Sequence, residues 1–538
     1  MPIVTVNGQE IEIGEDERLN GIEVARRAGE DIPHYCWHPG LSVVASCRMC
    51  LVETGRKNPE TGEIQMVPKL VPGCQTPATD GTVFVTNSEK VTEARAMVEE
   101  DLLIRHPIDC PICDKAGECH LQDYHFQHGQ PKRRADIKPF TSRKRPMGDT
   151  VTLFVDRCVM CTRCVRFTRE ITGTSELMVV NRGAHEEIDV FPGYPLDNKM
   201  SGNVVDLCPV GALGDRDFLY SQRVWFMEGH DNVCAGCSTG CSISVDENQD
   251  KVYRVKPREN PHVNKWWMCD EGRYGFKHVH DDNRITQPRQ FNGQSHESVE
   301  WSELPQILDE RLKAAGNLAA VVSPHLTVEA AYLMAKYILS IDKNALLAVG
   351  PAPVVGEDET FPNGFTIRAE KCPNRRGVEA VISRLGGTVR SFDDMLTELQ
   401  GGKIGGVWIS GGYKKTDWLD DNATNTFAEI PLVIVQDLFA SPAWDAAHFQ
   451  LPAAAFAERS GSYVNFADRL QSFDWAIRPP AGVMPEGPLF WRMLERPGMY
   501  NARKVMEEVA RNVTYFSAAA GEVPSVGIDL KINQLAGA

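Results

Sequence analysis

The chain carries sixteen cysteines, and every one except Cys372 lies at or before Cys269. With one histidine the other fifteen form four sets of four soft ligands. The sets are Cys36, Cys47, Cys50 and Cys74; His106, Cys110, Cys113 and Cys119; Cys158, Cys161, Cys164 and Cys208; and Cys234, Cys237, Cys241 and Cys269. Four such sets with none left over match four iron–sulfur clusters, whose irons complete their tetrahedra with thiolate or imidazole. The chemistry this implies is one-electron transfer.

The first set reads Cys36-x10-Cys47-x2-Cys50-x23-Cys74. A hairpin is expected before it, Ile3 to Val6 and Gln9 to Ile13 around Asn7-Gly8, a pair suited to a type I′ turn. A helix over Leu19 to Ala28 follows, with Ile22, Val24 and Ala25 facing the sheet. This order resembles the ferredoxin-type [2Fe–2S] domain, although the first gap is ten residues against four in the plant-type pattern. A zinc site on the same thiols is the competing reading.

The second set has three cysteines, so a [4Fe–4S] cubane needs a fourth ligand. His106 is the candidate, with His120, His125 and His128 as competitors. His106 stands at the end of a helix expected through Val98 to Ile104, where Pro107 turns the chain toward Cys110. A neutral imidazole in place of a thiolate makes a cluster less negative. The third set, Cys158-x2-Cys161-x2-Cys164, places three sulfurs in one loop for a second cubane, and Cys208-Pro209 supplies the fourth ligand with the proline of bacterial ferredoxins. A twin cluster would need a cysteine where Thr168 stands. The fourth set, Cys234-x2-Cys237-x3-Cys241-x27-Cys269, followed by Asp270-Glu271-Gly272-Arg273-Tyr274-Gly275-Phe276, has the spacing found at the entrance of molybdopterin oxidoreductases.

Together with the run His106-Pro107-Ile108-Asp109-Cys110-Pro111-Ile112-Cys113-Asp114-Lys115-Ala116-Gly117-Glu118-Cys119, these motifs resemble a known family. It is that of the large iron–sulfur subunit of the peripheral arm of bacterial NADH:quinone oxidoreductase, respiratory complex I. The resemblance implies an electron-transfer subunit of an NADH dehydrogenase with one [2Fe–2S] and three [4Fe–4S] clusters. It implies no molybdenum, flavin or NAD in this chain, and no catalytic site of its own. Electrons would come from the flavin/NADH-binding subunit to the Cys36 group, pass by the Cys158 group to the His106 group, and leave toward quinone through the quinone-module iron–sulfur subunits. The Cys234 group lies off that line in the family, and its retention looks bacterial.

The expected architecture is multidomain, α+β and α/β. A ferredoxin-like [2Fe–2S] domain is placed at residues 1–85, a [4Fe–4S] domain with one histidine and three cysteine ligands at 86–146, and a ferredoxin-type [4Fe–4S] domain at 147–226. A [4Fe–4S] domain of molybdopterin-enzyme type at 227–283 and a shortened molybdopterin-oxidoreductase-like α/β domain at 284–538 complete it. In the last, Leu318 to Val322, Gly406 to Ser410 and Ile430 to Val435 read as buried strands of a mostly parallel sheet, alternating with helices over Val328 to Ile341 and Asp393 to Leu399. Phe449 to Ala454 and Gly461 to Arg469 resemble a segment of the molybdopterin-oxidoreductase fold. The Gly-Gly pairs at 386–387, 401–402, 405–406 and 411–412 read as turns, and no Gly-x-Gly-x-x-Gly opens a helix after a strand.

Composition bounds the partners. With 57 basic and 73 acidic residues the net charge is -16, which argues against nucleic acid. No apolar run approaches the roughly 18–20 residues of a membrane span, and the start of the chain lacks the order of a signal peptide. The expected address is cytoplasmic, peripheral to the inner (plasma) membrane, where disulfides are rare. Lys132-Arg133-Arg134, Lys138 and Arg143-Lys144-Arg145 are opposed locally only by Asp136, and read as a solvated connector or a strip for an acidic partner.

Two alternatives share the N-terminal half: the catalytic chain of an NAD-linked formate dehydrogenase, and the diaphorase subunit of an NAD-linked hydrogenase. The former needs a metal-ligating thiol and a catalytic histidine. Cys372 is the one candidate thiol, with no histidine near it in sequence, and it is read as a free thiol.

Overall fold

The computed structural model describes every residue except Arg133, Ser142, Ala184 and residues 532–538. Two compact units emerge, Met1–Met227 with Phe361–Asn363, and Glu228–Thr360 with Gly364–Ala538.

The first unit opens with β1 (Ile3–Val6) and β2 (Gln9–Glu12). Asn7 and Gly8 both take positive φ, 50° and 86°, as a type I′ turn requires. Helix α1 (Gly21–Arg27) starts on a capping box, in which the Asn20 side chain accepts from the amides of Ile22 and Glu23 and the Glu23 carboxylate accepts from the Asn20 amide. Gly21 packs so closely that a Cβ there would stand 3.0 Å from both the Gly73 carbonyl oxygen and the Phe84 ring. Strands β3 (Leu51–Lys57), β4 (Ile64–Met66), β5 (Val71–Pro72) and β6 (Thr82–Val85) complete a sheet of order β2-β1-β6-β3-β4, with β5 on β3. Val4, Val6, Ile22, Val24, Ala25, Val52 and Phe84 form its core.

Helix α2 (Glu89–Arg105), capped by Ser88, runs longer than the sequence suggests and ends at His106. Helix α3 (His120–His128) follows the second cysteine loop. Strands β7 (Lys144–Pro146) and β8 (Val151–Phe154), helix α4 (Arg163–Glu170), the hairpin β9 (Leu177–Val180) and β10 (Glu187–Val190), helix α5 (Asn203–Leu207) and β11 (Leu213–Asp215) build the frame of the third set, with sheet order β11-β8-β7. The basic stretch is less open than its sequence implies, because acids distant in the chain meet it. Arg134 pairs with Glu100 (2.6 Å), Arg143 with Asp156 (2.9 Å), and Arg145 with Glu187 (3.0 Å) and Asp189 (3.1 Å). Arg133 lies outside the described residues.

The second unit begins with the antiparallel meander β12 (Glu228–Val233), β13 (Ser242–Asn248) and β14 (Lys251–Pro257), then α6 (Asp270–Tyr274). Next come β15 (Arg289–Phe291), β16 (His296–Ser298), α7 (Leu304–Ala315), β17 (Leu318–Val322), α8 (Val328–Ile341) and β18 (Leu346–Val349). A short ribbon of β19 (Glu359–Thr360) and β20 (Thr366–Ile367) precedes α9 (Arg375–Leu385), β21 (Thr388–Arg390), α10 (Phe392–Leu399), β22 (Gly406–Ser410), α11 (Asp421–Ala428), β23 (Leu432–Asp437) and β24 (Phe449–Pro452). The large sheet has order β16-β15-β24-β23-β22-β17-β18-β21, parallel from β24 to β21. Its strands are apolar on both faces because both faces are covered. Ala320, Val322, Trp408 and Ile434 face α7, α8 and α9, while Ala319, Val321, Val407, Val433 and Val435 face α10 and α11. Strands β25 (Gly461–Val464), β26 (Arg469–Phe473) and β27 (Ile528–Asp529) form a second small sheet beside α12 (Glu486–Met493) and α13 (Ala502–Asn512). Among the described residues, no helix is long and apolar enough to cross a membrane.

One buried carboxyl gives this unit a pH dependence. Glu329, in the first turn of α8, is 1% exposed, and the Ser462 amide and hydroxyl donate to its oxygens at 2.8 Å. Burial raises its carboxyl from 4.5 to about 7. The folded state therefore holds a proton that the unfolded state releases, so its contribution is full below about pH 4.5 and is lost as pH rises toward 7. Glu329→Gln should flatten that slope by about 3 kcal/mol in denaturant titrations across this window. An unchanged pH profile in the variant would contradict the assignment.

Candidate metal centres

The first set is assembled by loops around the N-terminal sheet. Cys36 follows α1, Cys47 and Cys50 precede β3, and Cys74 follows β5. Ala45 and Arg48 sit in the left-handed region at φ 51° and 60°, so the loop between the cysteines is held in a conformation most side chains avoid. The Cys36 amide points to Cys47 Sγ at 3.5 Å. The thiols meet in a chain: Cys47 contacts Cys36, Cys36 contacts Cys74, and Cys74 contacts Cys50. Hydrogen bonds from Cys47 and Cys74 hold Cys36 low, while the same contacts push Cys47 and Cys74 up.

In the second set Cys113 is buried and Cys110 exposed, and Cys119 precedes α3 at its N-cap. Burial raises the Cys119 thiol to about 11. His106 caps α2 with extended ψ, 130°, and Pro107 ends the helix as expected. Burial, then the charge of Arg157, lowers the His106 imidazole to about 4. It is neutral at pH 7, the form that ligates metal. The same guanidinium acts on Cys113 and donates to Asp109 at 2.9 Å, so His106 and the cysteine loop share one cation. His120 is also lowered to about 4, by burial and then Arg163, and its ring packs against Tyr124.

The third set is gathered at one cavity. Cys158, Cys161, Cys164 and Cys208 line one small cavity with Leu153 and Ile188. Met160 and Thr162 take left-handed φ of 48° and 58°, and the Met160 amide points to Cys158 Sγ at 3.4 Å. Cys164 lies in the first turn of α4, and Cys208 caps α5. Burial, then the neighbouring thiols, raises Cys158 and Cys164.

In the fourth set the Cys234 amide donates to the Cys241 carbonyl at 2.9 Å. The Gly236 amide points to Cys234 Sγ and the Gly272 amide to Cys269 Sγ, both at 3.4 Å. A Cβ on Gly272 would intrude between them, 3.0 Å from Cys234 Sγ and 3.6 Å from Cys269 Sγ. Burial, then the other three thiols, pushes Cys241 up.

Spacing bears on the kind of metal centre. A single zinc ion with bonds near 2.3 Å holds its sulfurs roughly 3.8 Å apart. Among the described residues, the only group of three or more metal-ligating side chains within 4.8 Å of one another is Glu228, His230 and Glu247; none of the cysteine sets converges so tightly. The thiols raised by burial are protonated while free, so metal binding must displace protons.

Sequence reasoning passed over three arginines that the fold brings to these sites: Arg157, Arg163 and Arg166, 3%, 5% and 1% exposed. Their signal is their position beside or within two residues of cysteine ligands in Arg157-Cys158 and Arg163-Cys164-Val165-Arg166. It also passed over Gly211, where any Cβ would collide with Cys113 Sγ. The fold further brings His325 against Tyr413 (4.7 Å between ring centroids), whose hydroxyl lies in the field of Cys372.

Family models match in order along the chain. They are a 2Fe-2S iron-sulfur cluster binding domain (residues 3–89), the NADH-ubiquinone oxidoreductase-G iron-sulfur binding region (95–134) and the NADH-quinone oxidoreductase subunit 3 ferredoxin-like domain (148–214). The molybdopterin oxidoreductase Fe4S4 domain (227–281) and molybdopterin oxidoreductase (376–483) follow. The NADH-quinone oxidoreductase G subunit of Rickettsia felis is 32% identical over 63% of this chain and 49% of its own. That of Streptomyces coelicolor is 35% identical over 63% of this chain and 40% of its own. Over that span the chain is similar to NADH-quinone oxidoreductase G subunits, and residues 95–134 match the iron-sulfur binding region described for that subunit. The chain spans about half the length of the curated relatives it matches. A crystal structure of NAD+-reducing [NiFe]-hydrogenase in the H2-reduced state is 27% identical, covering 41% of this chain and 91% of that one, at a TM-score of 0.34, too low to speak to the fold.

Proposed function

We propose that this chain is the electron-transfer subunit of an NADH:quinone oxidoreductase. In this reading Cys36, Cys47, Cys50 and Cys74 hold a [2Fe–2S] cluster. His106 with Cys110, Cys113 and Cys119, the Cys158 set and the Cys234 set each hold a [4Fe–4S] cluster. The clusters, when bound, supply reversible one-electron exchange. The chain's own residues hold them, separate them and exclude water. The finer domain division, with boundaries after residues 85, 146, 226 and 283, belongs to the same proposal, as do a flavin/NADH-binding partner, quinone-module iron–sulfur partners and a cytoplasmic position peripheral to the membrane.

The observation that carries the reading is the contiguity of three ligand sets in the first unit. Arg166 Nη2 donates to the carbonyls of Cys36 (2.5 Å) and Cys161 (3.2 Å), joining the first set to the third. The His120 amide donates to the Pro209 carbonyl at 2.9 Å, and Gly211 abuts Cys113, joining the third set to the second. Tunnelling falls off exponentially with distance, so adjacency in the order Cys36 group, Cys158 group, His106 group is what a transfer line needs. Contacts of Cys47 with Cys36, Cys36 with Cys74, and Cys74 with Cys50 bring the four thiols of the first set around one centre.

The C-terminal sheet supports a scaffold role. Open α/β sheets bind ligands beyond the carboxyl ends of strands where the order reverses, here between β17 and β22. Tyr413 fills that position, stacked on Trp418 at 4.2 Å and 12° and donating to the Pro351 carbonyl at 2.6 Å. Cys372 is fully buried beneath, with its thiol pushed up by burial. Cys372→Ser should therefore leave electron transfer unchanged in the assembled complex. Loss of activity with all clusters retained would favour the formate dehydrogenase reading.

The direct test is reduction by NADH. With its flavin partner the loaded chain should be reduced within the turnover time, and alone it should not react. NADH or formate oxidation by the isolated chain would sink the proposal. His106→Ala should disturb one cubane signal, and alanine at His120, His125 or His128 should not.

A further inference from the structure

Arg163 and Arg166 lie three residues apart on α4, and each reaches two ligand sets at once. Arg166 donates to the Cys36, Ser42 and Cys161 carbonyls, and Arg163 to the carbonyls of Trp37 (2.5 Å) and Leu207 (3.2 Å), the neighbours of Cys36 and Cys208. Neither forms an ion pair among the described residues, and Nε of each is buried without a hydrogen-bond partner. Glu170, the carboxylate on the same helix, is engaged by the Ser42 amide (2.9 Å) and hydroxyl (2.6 Å) and by Arg169 (3.2 Å). His34 and His120, which face Arg163, and His38, which faces both arginines, are held neutral at about 4, 4 and 3, by burial before all else. By contrast Arg157, on the side of the His106 set, is paired with Asp109 at 2.9 Å.

Two guanidinium charges are thus buried among carbonyl dipoles without an ion pair among the described residues, and Glu170, whose charge acts on Arg166, accepts its hydrogen bonds from Ser42 and Arg169 instead. Burying an unpaired charge is costly, and a fold keeps it only where something of opposite charge compensates. Four thiolates around an iron–sulfur core carry net negative charge, and reduction adds one more. We propose that Arg163 and Arg166 are the shared counter-charge of the Cys36-group and Cys158-group clusters, holding the two loops together and raising both reduction potentials in concert. They are positioning and tuning residues. The proposal rests on the cluster assignment above and adds to it the groups that set the poise of the first transfer.

The test is a redox titration of the full chain with its clusters loaded, each followed by its paramagnetic signal. In Arg166→Gln, the reduced-to-oxidised ratio at fixed potential should fall about tenfold for the [2Fe–2S] and Cys158-group signals. For a one-electron couple that is a midpoint about 59 mV lower. The His106-group and Cys234-group signals should hold still. Arg166→Lys keeps the charge and should keep both midpoints. Unchanged midpoints in Arg166→Gln with iron retained would overturn the proposal, as would equal shifts in the Lys and Gln variants. If Arg166→Gln loses iron, Arg166→Lys decides: retained iron and midpoints support the proposal, and loss there too reduces Arg166 to a structural brace. An unmodified chain that takes up no iron would instead refute the cluster assignment.

Discussion

Replacing Cys208 by alanine is expected to strip about four of about 14 irons from the anaerobically loaded chain and to erase one cubane signal. Cys208 caps α5 and lines the same cavity as Cys158, Cys161 and Cys164. Alanine removes its thiolate, and the set then offers three ligands to a core that needs four. The residual cavity is walled by Leu153, Ile188 and Val210, which cannot substitute. Cys372→Ser should keep the full iron content. Iron and zinc analysis on both variants checks the claim. Stoichiometric zinc with little iron, or the same iron loss in both variants, would defeat it.

The largest stability effect is expected at Glu458. Its carboxylate accepts from Arg284 Nη1 at 2.5 Å and Nη2 at 2.7 Å, with side chains 1% and 2% exposed. Arg284 also donates to the carbonyls of Val279 (2.7 Å) and Ala453 (3.3 Å). This pair ties the segment after the Cys269 ligand to the end of β24. Glu458→Ala leaves a guanidinium buried without its anion, and about 3–5 kcal/mol of stability should be lost. Removing both charges, Arg284→Met with Glu458→Leu, should recover most of that loss because no desolvated ion remains. Denaturant unfolding of the second unit measures both. A loss below about 1 kcal/mol for Glu458→Ala would show the pair to be solvated after all.

Much of the local structure was legible in the chain because it depends on neighbours in sequence. Asn7-Gly8 set the first turn through positive φ, and Pro107 ended α2 at His106. The apolar runs at Leu318–Val322 and Gly406–Ser410 became central parallel strands because residues of both parities there are apolar. Boundaries drifted where polar residues are tolerated. Strand β23 begins at Leu432, after Pro431, and α2 extends back to Glu89, where the Ser88 cap anchors a turn of charged residues.

The sequence by itself named the candidate ligands. Thiolates and an imidazole at fixed spacings leave few other chemistries open, and their grouping follows from short loops. Tertiary structure decided which sets adjoin and what charge lies between them. The meeting of Arg166 with both Cys36 and Cys161 joins residues 130 and 5 positions apart. Gly211 meets Cys113, and Glu458 meets Arg284 174 positions away. Such contacts arise from packing of separate elements, where burial and the need to satisfy each buried polar group select partners that no local pattern encodes.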